Sequence, residues 1–290
     1  MGGADMSGRI AFQGEPGAHS HIACRDERPD LEPLPRRTFE DAFAAVREGQ
    51  AEIGMIPIDN STAGRVADIH HLLPDSGLHI VGEHFHRVNH HLMALPGVAL
   101  DELRTVHSHV QALSQCRETI AQLGLERVVA ADTAGAAAEL AASGDRTRAA
   151  LASELAAETY GLAILRRDAQ DAEVNVTRFV LMARDPVHPD PEAGPTITSF
   201  VFRVRSVPAA LYKALGGFAT NGVNIVKLES YMIDARFTVA QFYADIDGHP
   251  DKRPVRLALE ELGFFSREVR ILGVYPASSY RREIQGSGDD

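Results

Sequence analysis

Four prolines, Pro186, Pro189, Pro191 and Pro195, crowd the stretch from Asp185 to Pro195. Each fixes its own φ and removes a backbone donor, so neither a helix nor a central strand can cross it. The chain must divide there, and 290 residues is more than one typical domain holds. We read 186–195 as a linker, with one unit over 8–185, a second over 196–276 and a tail over 277–290.

The unit beyond the linker has the cleaner pattern. Thr196 to Arg205 reads as a strand, and Pro208 opens a helix carrying Leu211, Leu215 and Phe218. Asn221-Gly222 turns into a strand from Val223 to Met232, and Asp234-Ala235 turns into its partner from Phe237 to Ile246. A helix from about Pro254 to Leu262 stops at Gly263, and Glu268 to Val274 closes the unit. This β-α-β-β-α-β order is the ferredoxin-like arrangement. Gly286 to Asp290 is polar and expected to be disordered.

The first unit alternates strands and helices. Arg9 to Gln13 reads as a buried strand followed by the turn Gly14-Glu15-Pro16-Gly17. Thr38 opens a helix with Phe39, Ala42, Phe43 and Val46 on one face, and Gly49 ends it. Strands are predicted over Glu52 to Ile58, Leu78 to Val81, His91 to Leu95, Thr105 to His107 and Arg127 to Ala131. Helices are predicted from about Val110 to Leu123, behind Thr133 as a cap, and over Ala149 to Tyr160. That alternation is α/β, with parallel or mixed sheets.

Net charge of −11 with a pI near 5.6 argues against nucleic acid as a partner. No apolar run is long enough to span a membrane, and Met1 to Gly8 does not resemble a signal peptide. Two cysteines, Cys24 and Cys116, make no disulfide framework, so a cytoplasmic protein is expected.

Chemistry concentrates in short polar motifs. Asn175-Val176-Thr177-Arg178-Phe179 sets a hydroxyl beside a guanidinium at the mouth of an apolar strand, a pairing suited to a small, doubly negative organic acid. Pro57-Ile58-Asp59-Asn60-Ser61 ends a strand, where ligands of α/β folds bind. Ser108-His109-Val110-Gln111 and Gln115-Cys116 share a predicted helix start, and Asp132-Thr133-Ala134-Gly135 opens another. This ordered set resembles prephenate dehydratase, across roughly residues 9 to 276 with an ACT-like C-terminal domain.

The resemblance implies a catalytic part of two α/β lobes, like those of periplasmic binding proteins, with the site in the cleft between them. Lobe 1 would hold about 8–82 and 161–185, and lobe 2 about 83–160. It implies loss of water and carbon dioxide from prephenate, giving phenylpyruvate, with no cofactor. Thr177 would donate to the departing hydroxyl and Arg178 grip a carboxylate, while Asn60, Ser61, Ser108, Gln111, Gln115, Thr133 and Ser20 would line the pocket. Asp59 stands for the family's usual Glu, Val110 for its Pro, and His19 occupies an aromatic position. Phenylalanine would act as effector at Ala209, Ala210 and Leu211, at Asn221, Gly222, Val223 and Asn224, and at Leu228, Glu229 and Ser230. Tyr231-Met232 replaces the usual Arg-Pro there. A homodimer or homotetramer is expected. Arogenate dehydratase and a non-catalytic small-molecule sensor stay open as alternatives.

Thirteen histidines raise the question of a metal. His84-x-His86, His90-His91 and His107-x-His109 are the tightest groups, and a strand sets i and i+2 on one face. No carboxylate or cysteine stands at a spacing that completes a standard site, so no metal is expected. Cys116 lies on an apolar stripe with Leu113 and Ile120, which argues against a nucleophile.

Overall fold

The computed structural model describes residues 8–205, 207–233 and 240–286. They form two compact units, one of residues 8–66 with 84–179 and one of the described residues of 67–83 with 180–286.

In one mixed sheet β1 (Arg9–Gln13) is paired in parallel with β2 (Glu32–Arg36) on one side and β3 (Ile53–Asn60) on the other. The order is β2-β1-β3-β11-β5, with β4 (Gly64–Arg65) beside β3, β5 at His79–Arg87 and β11 at Val176–Ala183. The unit boundary falls within β5 and β11. Helices α1 (His19–Glu27) and α2 (Phe39–Arg47) belong with it. Thr38 caps α2 by accepting from the Asp41 amide, as its sequence predicts.

The other sheet of the first unit has the order β10-β6-β9-β7-β8. Its strands are β6 (His91–Ala94), β7 (Thr105–Ser108), β8 (Glu126–Val129), β9 (Arg148–Ala152) and β10 (Ala163–Arg166). Around them run α4 (Val110–Gln115), α5 (Arg117–Gln122), α6 (Thr133–Ser143) and α7 (Glu154–Tyr160). Leu92, Val106, Leu113, Cys116, Ile120 and Leu151 form its core. Burial pushes the Cys116 thiol up to about 12, which leaves it inert at neutral pH.

In the second unit, β12 (Thr196–Val204), β13 (Ile225–Met232), β14 (Ala240–Asp247) and β15 (Ser266–Pro276) form an antiparallel sheet in the order β13-β14-β12-β15. With α8 (Ala210–Thr220) and α9 (Arg253–Phe265) this is the ferredoxin-like topology. Its core stacks Phe202 on Phe242 at 5.0 Å and Phe200 on Phe218 at 6.0 Å. Two shorter helices, α3 (Ala67–Leu72) and α10 (Tyr280–Gly286), also belong to this unit. Among the described residues, no helix is long and apolar enough to cross a membrane.

Several elements differ from the sequence expectation, each for a local reason. Pro33 and Pro35 hide strand β2, which tolerates them because it is an edge strand. Residues Arg148–Ala152 form buried strand β9 rather than the start of a helix; Ser153 then caps α7 by accepting from the Ala156 amide. The expected helix over 110–123 breaks at Cys116, where the Asp171 carboxylate accepts from the Arg117 and Glu118 amides. Asp132, not Thr133, caps α6. β5 stays in the first sheet to Arg87 and β10 still belongs to the second, so the chain changes sheets later than Gly82 and Gly161. Helix α9 continues past Gly263 to Phe265. The predicted turn at Asp234-Ala235, the start of its partner strand at Phe237 and the tail beyond Gly286 lie outside the described residues.

Candidate active site

The end of β3 and the start of β11 are tied together. The Ser61 amide donates to the Val176 carbonyl at 2.9 Å, and the Val176 amide donates back to Ser61 Oγ at 3.0 Å. This clamp sets Asn60 against the Asn175–Thr177 segment.

The orientation of the polar groups follows from two backbone amides. Thr62 N and Ala63 N can only donate, and both point at Asn60 Oδ1, at 3.0 and 2.8 Å. That fixes the carboxamide, so Asn60 Nδ2 donates to Asn175 Oδ1 at 2.7 Å and to Thr177 Oγ1 at 3.0 Å. Asn175 Nδ2 must then donate to Gln115 Oε1 at 3.0 Å, and Gln115 Nε2 to Thr62 Oγ1 at 2.7 Å. Gln115 Oε1 also accepts from His90 Nε2 at 2.9 Å. Burial pulls His90 down to about 4, so at neutral pH it is a neutral ring with one N–H, directed at Gln115. Every amide in the ring of contacts has one consistent orientation.

The consequence for Thr177 is specific. Its oxygen accepts from Asn60, so its own proton is left to donate elsewhere. Beside the network is a cavity of about 390 Å³, lined among others by Thr62, Ser114, Gln115, Arg117 and Asn175. That volume suits a small organic ligand.

The structure gathers Asn60, Ser61, Gln115 and Thr177, and adds Thr62, His90 and Asn175. Asn175, the first residue of the Asn-Val-Thr-Arg-Phe motif, is 2% exposed and at the network's centre. Arg178 is not in this group. Successive strand residues point to opposite faces: Thr177 meets Asn60, whereas the buried Arg178 guanidinium lies 3.9 Å from Asp59. Arg117 supplies the cation that lines the cavity. Ser108 is fully buried and donates to the Leu151 carbonyl at 2.6 Å, inside the second sheet. Gln111 is exposed, and Ser20 and Thr133 are half-buried in the first turns of α1 and α6.

The expected effector positions also separate. Ala209, Ala210 and Leu211 line a cavity of about 770 Å³ with Arg203, Arg205 and Arg267, whereas Asn221 to Asn224 and Leu228 to Ser230 do not border it. Asn221 ends α8, and Gly222 follows with φ of 66°. Tyr231, at the position of the expected arginine, is turned inward. Its hydroxyl accepts from Gln241 Nε2 at 2.8 Å, and its ring meets His71 edge-on at 5.1 Å.

Ala209 holds a left-handed φ of 58° just before α8. That conformation costs a non-glycine residue roughly 1–2 kcal/mol, against about 0.4–1 kcal/mol for glycine's freer unfolded chain. Ala209→Gly should therefore raise stability by about 0.5–1 kcal/mol. A midpoint in urea that stays put or falls would show that the turn is not strained.

A mixed α/β unit with an amide-lined cleft, joined to a ferredoxin-like domain, defines the class. The family model for prephenate dehydratase matches residues 10–187. The chain belongs to the prephenate dehydratase family. It is 52% identical over 274 residues to a bifunctional N-acyl-homoserine lactone acylase/prephenate dehydratase of Komagataeibacter europaeus, covering 94% of this chain and 98% of the relative. It is 38% identical over 293 residues to arogenate dehydratase/prephenate dehydratase 1 of Arabidopsis thaliana, covering 96% and 74%. The prephenate dehydratase from Arthrobacter aurescens, solved in complex with L-Phe, superposes with a TM-score of 0.84 at 30% identity, covering 92% of this chain and 89% of that one.

Proposed function

We propose that this chain is a cytoplasmic prephenate dehydratase. The prephenate dianion takes up one proton and yields phenylpyruvate, water and carbon dioxide: the ring C–OH bond and the bond to the ring carboxylate break, and the electron pair of the latter completes the aromatic ring. Hydroxide is the poor leaving group, and a hydrogen bond from Thr177 Oγ assists its departure. The carrying observation is the direction of the Asn60–Thr177 contact, which leaves the threonine proton free to donate. Arg117, with the Gln115 and Asn175 carboxamides, is suited to hold a carboxylate of the substrate. Arg178 orders Asp59 behind the site rather than touching substrate.

Incubation with prephenate and measurement of phenylpyruvate in alkali tests the reaction; no turnover would overturn it. Parallel reactions with arogenate and with an N-acyl-homoserine lactone read out the other activities named for relatives. We also propose that phenylalanine lowers activity by binding in the ferredoxin-like domain, an ACT domain in this reading, and that the chain forms a homodimer or homotetramer. The inward Tyr231 removes one charged contact and weakens the effector site, whereas the arginines around Ala209 and Ala210 offer a carboxylate partner. Edge strands β13 and β15 offer pairing surfaces for assembly. Phenylalanine without effect up to millimolar would remove the regulation, and light scattering at 31.4 kDa would remove the oligomer.

A further inference from the structure

We propose that Asp26, His84 and His86 form a binding site for a divalent transition-metal ion in the first unit. His84 and His86 alternate along β5 and so project from one face, while Asp26 comes from the last turn of α1. The sequence offers the two imidazoles but no carboxylate at a recognisable spacing; the fold brings one from 58 residues upstream of His84.

One ligating atom from each of the three residues lies within 4.8 Å of the other two. His86 Nδ1 stands 3.8 Å from Asp26 Oδ2. Tetrahedral coordination at ~2.0–2.1 Å sets donors ~3.3 Å apart, so a small side-chain adjustment closes the site.

The remaining ring nitrogens are arranged as metal-bound histidines require. Glu27 Oε2 lies 2.9 Å from His84 Nδ1. A carboxylate only accepts, so Nδ1 carries the hydrogen and the lone pair is on Nε2. That Nε2 is buried and has no hydrogen-bond partner among the described residues. His86 engages His19 Nδ1 through Nε2 at 3.1 Å, which leaves Nδ1 toward Asp26. Both candidate histidines are thus oriented through their other nitrogen, the support that metal-binding histidines usually have.

Two imidazoles and one carboxylate suit zinc, cobalt or nickel rather than magnesium or calcium. The Asp26 side chain is 55% exposed and gives the ion a path from solvent, and a fourth position is left for water. An electrostatic His–Asp pair alone would explain His86 but not the Nε2 of His84, which has no partner among the described residues.

The full-length protein, stripped with EDTA and dialysed, should take up one equivalent of Zn²⁺ per chain in calorimetry and show visible absorption bands with Co²⁺. Asp26→Asn and His84→Gln should each weaken Zn²⁺ binding at least ~10-fold, and Glu27→Gln by a similar factor through loss of the supporting bond. His188→Ala, at an exposed histidine of the proline stretch, should bind as wild type. Zn²⁺ should also raise the melting temperature of wild type but not of Asp26→Asn. Circular dichroism confirms that each variant folds; if His84→Gln does not, Asp26→Asn decides, since its side chain is half in solvent. Wild type without stoichiometric uptake, or Asp26→Asn binding as wild type, would overturn the site. The readout is metal binding, so it is independent of any dehydratase activity.

Discussion

Thr177→Val should lower kcat on prephenate by roughly 10²-fold or more while KM stays within a few-fold, the signature of a contact made mainly in the transition state. Valine keeps the β-branched shape that suits a strand and removes only the hydroxyl. The fold should survive, because Asn60 Nδ2 keeps its 2.7 Å bond to Asn175 Oδ1 when the one to Thr177 is gone. A stability loss of about 1 kcal/mol is expected from that single hydrogen bond. Thr177→Ser, which restores the donor, should recover most of the rate. A valine variant turning over within a few-fold of wild type would remove Thr177 from the reaction, and the direction of the Asn60 contact would then be structural only.

Much of this site was legible in the sequence, because its members stand at ends of strands and helices that have clear signals. Asn60 follows an apolar strand, Thr177 opens one, and Gln115 falls on a helix whose apolar stripe is plain. What sequence could not supply was the face each side chain takes. Thr177 and Arg178 are adjacent in the chain, and a tripeptide suggests that they act together; the pleat of β11 sends them apart, one to Asn60 and the other to Asp59. Arg117 was hidden for a related reason. In an unbroken helix over 110–123 it is an ordinary surface residue, and only the break at Cys116, enforced by Asp171, brings it to the cavity. That carboxylate comes from a loop more than 50 residues away, and no local pattern announces it.

The same limit explains the secondary-structure differences. Alanine favours helix, so Ala149 to Ala152 reads as the start of one, yet their complete burial between β6 and β7 makes them a strand. The prolines of β2 argue against a strand only if it is central. Tyr231 could be recognised as a departure from the family's pattern, but its inward packing depends on a helix, α3, that lies far away in sequence.

Gly17→Ala should destabilise the protein by roughly 2–5 kcal/mol, lowering the melting temperature by about 10 °C. Gly17 has a φ of +90°, which already disfavours a side chain, and its α-carbon approaches helix α7. A Cβ there would stand 2.7 Å from the Ala156 α-carbon, a backbone atom with no rotamer to yield. The surrounding contacts leave little room for a shift: Ser153 Oγ donates to the Gly17 carbonyl, and the Tyr160 hydroxyl donates to the Pro16 carbonyl at 2.8 Å. Moving the turn would also move the first residues of α1, which carry His19 and Ser20, so activity should fall with stability. Gly144→Ala is the matched comparison. It shares a left-handed φ, +66°, but has nothing within 4 Å of the added carbon, so it should cost only about 1 kcal/mol. If the two substitutions prove equally mild, the turn at Gly17 can withdraw from α7, and the two sheets of the first unit are joined less tightly there than the 2.7 Å approach implies.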